Sequence, residues 1–242
     1  FILGKGSNVV FSDSKYDGIV IQNKMENIDF DLSNESVNVD AGFYLPNLSR
    51  YLKDIKRTGG EYLLGIPGTV GGAIRMNAGC YGYEFMDCVN FITYFDTVDK
   101  TIKNITRENI KYSYRNTEIK NAIILSTNLS FIKEDPIKIQ NKMTEYSQHR
   151  KNTQPSAIYN AGSVFKNGND YFAAELIEQS GLKGYEIDGV KVSEKHSNFF
   201  VASKDAKSKS LYKLVKFVKE EVHNKYGVLL NEEIIFIGDF LD

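Results

Sequence analysis

Apolar and polar positions alternate in short bursts over the first forty residues. Phe1–Leu3, Val9–Phe11, Gly18–Ile21, Ile28–Leu32 and Ser36–Val39 read as short strands, separated by Gly, Asn, Asp and Ser, the residues that favour turns. The period then changes. Leu48, Tyr51, Leu52 and Ile55 recur at the spacing of one helical face. Pro46 suits the first turn of that helix, and Gly59 or Gly60 is the expected stop. Strands are predicted over Asn90–Phe95, Thr101–Ile105 and Ala122–Phe131, then a helix over Pro136–Lys151 with Ile139, Met143 and Tyr146 as its apolar stripe. In the second half, Asp170 is placed to cap a helix carrying Ala173, Leu176 and Ile177, closed by Gly181. Asn198–Ala202 reads as a strand. Lys209–Tyr226 is the strongest helical pattern, with Leu211, Leu214, Val215, Val218 and Val222 on one face and Gly227 behind it; Ile234–Ile237 is a final strand. The sum is an α+β protein with two lobes. The Thr-Gln-Pro-Ser composition of Asn152–Ile158 marks the expected hinge.

Composition narrows the classes. The 242 residues allow one or two domains, with 42% hydrophobic and 25% charged residues, as in ordinary globular chains. Lys+Arg 30 against Asp+Glu 31 leaves a net charge of -1, so no basic excess points to nucleic acid and no polybasic cluster to a membrane surface. No apolar run approaches the ~18 residues of a membrane span. Cys80 and Cys88 lack CxxC or His-paired spacing, so reduced thiols in a cytoplasmic setting are expected and metal binding is not. No signal peptide is evident. The chain begins at Phe1 inside an apolar run that reads as the middle of a strand, from which an upstream segment is expected.

The densest chemistry lies in Gly65–Gly82, where six glycines fall in 18 residues; average usage would give about one. So much glycine is entropically costly unless the backbone must turn through positive φ or approach something without a Cβ in the way. Consecutive amides cradling a phosphate are one such use; a long surface loop with tight turns is the other, although Ile66, Val70, Ile74 and Met76 make the stretch apolar for that. A second, weaker glycine turn is Leu3-Gly4-Lys5-Gly6-Ser7-Asn8, between two strands. It is neither a Rossmann fingerprint, since Val9 follows and no helix, nor a Walker A loop. Alone it reads equally as strand, turn, strand. Paired with Gly65–Gly82 it suggests two turns converging on one pyrophosphate, a dinucleotide held without a Rossmann fold.

These motifs are similar to those of the UDP-N-acetylenolpyruvoylglucosamine reductase family. The resemblance rests on Leu3–Asn8 followed by Asp13 and Gly18, on Gly65–Ala73 and Met76–Gly79, and continues through Tyr114-Arg115, Gln154-Pro155, Asn160–Asn167, Gly181–Gly184, Val192–His196 and Glu233. The flavin loops alone indicate only the wider vanillyl-alcohol-oxidase-like family; Ala161-Gly162-Ser163-Val164-Phe165-Lys166-Asn167 narrows it. The resemblance implies an FAD-binding lobe of that (PCMH) type, residues 1–152 plus 227–242, incomplete at its front, and a smaller α+β substrate lobe, residues 153–226. It implies FAD and NADPH as cofactors, a UDP-sugar as substrate, and reduction of its enolpyruvyl group in peptidoglycan precursor synthesis. No obligate protein partner is implied. No separate tyrosine-bearing insertion is evident, which suits the family's shorter, second type. Carried over, the cofactor residues are Gly4, Lys5, Gly6, Ser7, Asn8, Ile66, Pro67, Gly68, Thr69, Gly71, Gly72, Asn77 and Ala78.

Reduction of an enolpyruvyl group builds negative charge beside its carboxylate. That requires a cation on the carboxylate and an acid for the adjacent carbon. The resemblance assigns the acid to Ser163 and the clamp to Arg115, whose planar fork fits a carboxylate and stays charged. Tyr112 and Tyr114 are apolar-bodied neighbours for it. Glu233, just before an apolar strand, is the expected partner of the developing enolate, with Glu232 beside it making the assignment ambiguous by one residue. Tyr114, Lys166, Asn167, Lys183 and His196 are the expected substrate contacts. From the residues alone, Ser163 reads as a turn serine bonded to its own backbone, Arg115 as a surface arginine, and a structural histidine is an open reading of His196. The chain departs from the family pattern at Gly168 (usually Pro), Ile235 (commonly Arg) and Ala202 (frequently Asn). Two other functions stay open: another flavin oxidoreductase of the same binding class, or an inactive nucleotide-sugar-binding fragment.

Overall fold

The computed structural model describes residues 1–156 and 159–240; residues 157–158 of the expected hinge and 241–242 of the expected flavin lobe lie outside them. The chain divides into two compact units, Phe1–Lys5 with Ile19–His149, and Gly6–Gly18 with Arg150–Asp242.

The first unit is built on a five-stranded antiparallel sheet, in the order Thr101–Thr106, Val89–Asp96, Ala122–Ser130, Ser36–Asp40, Ile28–Asp31. Strand alternation sorts its faces. Val37 and Val39 point into the core and Asn38 between them points out. On the outer face the Asn128 amide donates to Ser36 Oγ at 2.9 Å and Asn38 Oδ1 at 2.7 Å, so the polar face is hydrogen-bonded rather than merely wet. Helix α1 (Leu45–Asp54) lays Leu45, Leu48 and Leu52 on the inner face. It stops well before Gly59, because Lys56 turns left-handed (φ +59°) to let Arg57–Thr58 pair with Ile132–Lys133. Tertiary pairing, not glycine, ends this helix.

The glycine run is not all loop. Val70–Met76 forms helix α2, capped by Thr69, whose Oγ1 accepts the Gly72 amide at 3.3 Å. The start of this helix packs on the strand end at Gly71: its amide donates to Ala41 O at 2.8 Å, and a Cβ there would lie 3.0 Å from Ala41 Cβ. Glycine here serves helix-on-strand packing, a close approach that the sequence signals without naming the partner.

Helix α3 (Pro136–Thr153) runs through the start of the expected hinge, and the division of the units falls within it. In the second unit, helix α4 (Ala173–Gln179) and helix α5 (Ser208–Tyr226) pack with the sheet Glu186–Ile187, Val190–Val192, Phe200–Ala202. Leu214, Val215, Val218 and Val222 of α5 are fully buried against Val190, Val192 and Phe200, as their spacing requires. Asp170 does not cap α4; the Asn167 Oδ1 takes the Ala173 amide instead, at 3.0 Å. The start of α5 is capped from across the sequence, by Asp13 accepting the amides of Ser208 (3.1 Å) and Lys209 (3.0 Å). Ile235–Ile237 pairs in parallel with Val9–Phe11, the strand that leaves the first glycine turn. By contacts these two strands group with the second unit, so the compact units differ from the expected lobes at residues 6–18, 150–152 and 227–242.

Candidate active site

Within the first unit, Gly4 at the start of the first glycine turn lies against Thr69 of the second. A Cβ on Gly4 would fall 2.5 Å from Thr69 Oγ1, so Gly4 is required for the approach. The Lys5 ammonium lies 5.7 Å from the Tyr44 ring centroid, and Tyr44 bridges to Thr69. Among the described residues, the backbone N–H groups of Gly4, Lys5, Gly6, Ser7 and Asn8 find no partner. Gly6 takes a left-handed φ of +73°, which a glycine adopts at no steric cost. Five successive unsatisfied donors fit an anionic group such as a diphosphate. The second turn is different. Its amides at Gly68, Val70, Gly71 and Gly72 are spent on Ile66 O, Phe43 O, Ala41 O and Thr69 Oγ1. Pro67 and Gly72 remain exposed, and Ile66 packs on the core. This turn shapes a surface more than it donates to one.

Asn77 and Ala78 are committed to the fold. Asn77 is fully enclosed, and its side chain bonds Glu84 Oε2 (2.8 Å), Ser113 O (3.1 Å) and the Met86 amide (3.1 Å). The Ala78 amide donates to Ala73 O and its carbonyl takes the Phe85 amide. The expected cofactor contact of the Asn77 side chain is therefore corrected: no face of it is open to a ligand.

Tyr114 and Arg115 form the tip of a hairpin between Tyr112–Ser113 and Asn116–Thr117. Arg115 sits at φ +54°, its guanidinium 4.7 Å from the Tyr114 ring centroid and donating to Gly79 O at 2.6 Å. Tyr114 is exposed, so the stacked pair presents a cation at the surface of this unit.

The second unit assembles Ser163 and Glu233. Ser163 bridges Phe199, and Val164 O accepts the Glu233 amide at 2.8 Å, so the segment is held along both edges. Gly162 turns at φ +81° with open space around it, bonded to Asn160 Oδ1. The half-buried Ser163 hydroxyl bonds to no other described residue, so it is not the backbone-bonded turn serine that the residues alone allowed. Glu233 O takes the Asn8 amide side chain at 3.0 Å. Glu232 is tied to Lys219 at 2.8 Å.

Lys183 pairs with Glu178 at 2.7 Å, and its charge reaches His196. Burial pushes the His196 imidazole below its ordinary pKa; Lys183 adds to this and Glu178 opposes it. His196 is thus neutral at pH 7, with Nδ1 accepting the Asn198 amide at 3.3 Å and the ring 4.8 Å from Phe199, the residue bridged to Ser163. Lys166 donates its amide to Asn231 O, and Asn167 spends its side-chain oxygen on α4. The sequence reading missed Asn198. Its buried side chain acts as an extra strand residue, accepting the Phe165 amide (2.9 Å) and donating to Phe165 O (2.8 Å). An asparagine at the edge of an apolar strand was the only signal. Burial pushes the Cys88 thiol up to about 12, leaving it unreactive. Among the described residues there is no group of three or more His, Cys, Asp or Glu that could hold a metal, and no helix long and apolar enough to cross a membrane.

The amide-rich turn fits an anionic group, and residues 1–103 match the FAD binding domain model. Residues 154–237 match the C-terminal domain model of UDP-N-acetylenolpyruvoylglucosamine reductase. The chain is 36% identical to the UDP-N-acetylenolpyruvoylglucosamine reductase of Caldicellulosiruptor bescii, covering 99% of this chain and 77% of that protein. It is 38% identical to that of Fusobacterium nucleatum subsp. nucleatum, covering 98% and 84%. The crystal structure of UDP-N-acetylenolpyruvylglucosamine reductase from Thermus caldophilus superposes with a TM-score of 0.88 at 30% identity, over 98% of this chain and 85% of that one. The chain belongs to the UDP-N-acetylenolpyruvoylglucosamine reductase family. The expected α+β fold with an FAD-binding domain and a second, distinct domain is the one found.

Proposed function

We propose that this protein reduces the enolpyruvyl group of UDP-N-acetylglucosamine enolpyruvate to give UDP-N-acetylmuramate, with NADPH as reductant. The observation that carries the proposal is the half-buried, uncommitted hydroxyl of Ser163 on a strand segment held along both edges, in a chain of this family. Bound FAD would supply the hydride chemistry that links NADPH to the enolpyruvyl methylene carbon. Ser163 supplies the proton to the adjacent carbon, which is basic enough to take it from a hydroxyl. Arg115 holds the substrate carboxylate by its fork and stabilises the charge that spreads into it. Glu233 assists at the developing enolate. Tyr114, Lys166, Asn167, Lys183 and His196 contact the UDP-sugar, with neutral His196 offering its Nε2–H as a donor. Gly4 to Asn8 hold the cofactor diphosphate on their free amides, while Ile66, Pro67, Gly68, Thr69, Gly71 and Gly72 shape the surface it meets. We assign the flavin role to residues 1–152 with the returning segment 227–242, and the substrate role to residues 153–226. The activity needs no nucleic acid and no protein partner, and its nucleotide substrates suit a cytoplasmic setting.

The test is spectroscopic. The FAD-loaded protein should lose its visible flavin absorbance on NADPH addition, and the enolpyruvyl UDP-sugar should restore it without oxygen. Reoxidation by oxygen but not by that substrate would favour another flavin oxidoreductase; a protein that binds no FAD would remove the assignment.

A further inference from the structure

We propose that Asn77, together with Glu84, is a positioning residue that sets the turn carrying Arg115. The inference rests on the reading of Arg115 as the group that holds the substrate carboxylate. Asn77 ends α2 in the left-handed region, at φ +40°. Its amide uses both hydrogens, one on Glu84 Oε2 at 2.8 Å and one on Ser113 O at 3.1 Å, and its oxygen takes the Met86 amide at 3.1 Å. One enclosed side chain therefore ties the end of α2 to the Glu84–Met86 turn and to the strand that leads directly into Tyr114-Arg115.

The same loop also reaches the guanidinium. Arg115 donates to Gly79 O, two residues beyond Asn77, at 2.6 Å. The clamp thus holds both the hairpin that carries the arginine and the carbonyl that orients it. Glu84 is itself fixed, since its carboxylate also accepts the Asp87 amide in a reciprocal cap. A bond from an amide to a carboxylate is charge-assisted, roughly twice as strong as a neutral one, and it is enclosed here. Arg115 needs such a brace because its left-handed φ is uncommon for a residue with a side chain and persists only when surroundings over-determine it.

Asn77→Ala and Glu84→Gln test this, alone and combined with Arg115→Ala. Hydrogen exchange is read first, with and without FAD. The peptide spanning Tyr112–Thr117 should exchange faster in Asn77→Ala while the α1 peptide keeps its protection. In single-turnover experiments, reoxidation of the reduced enzyme by the enolpyruvyl UDP-sugar should slow by about tenfold or more, as a misplacement of about 1 Å can produce. Reduction by NADPH should change far less. In the Arg115→Ala background the Asn77 and Glu84 substitutions should cost nothing further in reoxidation. Glu84→Gln preserves shape and should show the same pattern at smaller amplitude; it decides the matter if Asn77→Ala does not fold. Unchanged exchange at 112–117, equal losses in both half-reactions, or losses that multiply with Arg115→Ala would overturn the inference. A normal reoxidation rate in Arg115→Ala alone would fail the reading of Arg115, and the inference with it.

Discussion

Arg115 and Ser163 are held by different means in the two units. Arg115 sits at a hairpin tip in the left-handed region, braced by a buried asparagine whose partners lie on neighbouring turns. Ser163 sits in extended chain, with Phe199 bridged to it and Val164 O taking the Glu233 amide, and with Asn198 bonding both backbone groups of Phe165. The first arrangement aims a long, charged side chain by bending the backbone beneath it. The second aims a short hydroxyl, which has no reach of its own, by removing backbone freedom on both sides. In each unit a buried, hydrogen-bonded asparagine does the bracing. Buried polar groups with all partners satisfied rigidify a site, whereas losing one partner leaves an expensive orphan.

Removing either side chain should have the largest effect. Ser163→Ala should leave reduction by NADPH nearly intact and slow reoxidation by substrate about 10²–10⁴-fold, the usual contribution of a positioned acid. Arg115→Lys keeps the charge but loses the fork, and should slow the same step by roughly one order of magnitude or more. Equal loss in both half-reactions for either variant would count against its role. Asn198→Ala should cost about 3 kcal/mol in denaturant unfolding, because it leaves the Phe165 amide and carbonyl unpaired in a buried segment; a loss below about 1 kcal/mol would show that water replaces the side chain.

Asp13→Ala should cost about 1 kcal/mol, the ordinary worth of a helix cap, and an unchanged unfolding midpoint would remove the distant cap from the account. Burial pulls the Asp13 pKa upward, but the Lys209 and Ser208 amides outweigh it and leave it lowered. Its contribution is therefore present above the unfolded value of 3.8 and fades as pH falls through the lower folded value. His196 gives the smallest effect, with the same sign. Its folded pKa lies below 6.5, so stability should decline as pH drops from 6.5 towards that folded value, and His196→Gln should flatten this slope. An imidazole titrating above 6.5 by NMR would contradict the burial argument.

Much of this molecule is written in local patterns. The α5 stripe of Leu214, Val215, Val218 and Val222 specifies a helix and its buried face, because periodicity records which positions leave water. The glycine run announces a close approach, and the motif around Ser163 announces its family. What local pattern cannot carry is the identity of a distant partner. Gly71 was legible as a contact, yet only packing made that contact Ala41. The end of α1 was misplaced because the pairing of Arg57–Thr58 with Ile132–Lys133 overrides any local stop signal. Asp170 lost the α4 cap to Asn167 because the winner depends on how the preceding loop folds back.

Local pattern fixed most of the elements, their buried faces and the chemical inventory, since these depend on residues a few positions apart. Tertiary structure alone decided which polar side chains support the site. Asn77 reaches Ser113 across 36 positions, Asn198 reaches Phe165 across 33, and Asp13 reaches Ser208 across 195. A hydrogen bond requires a partner within about 3 Å and well aligned, and at such separations only the folded core brings the two groups together.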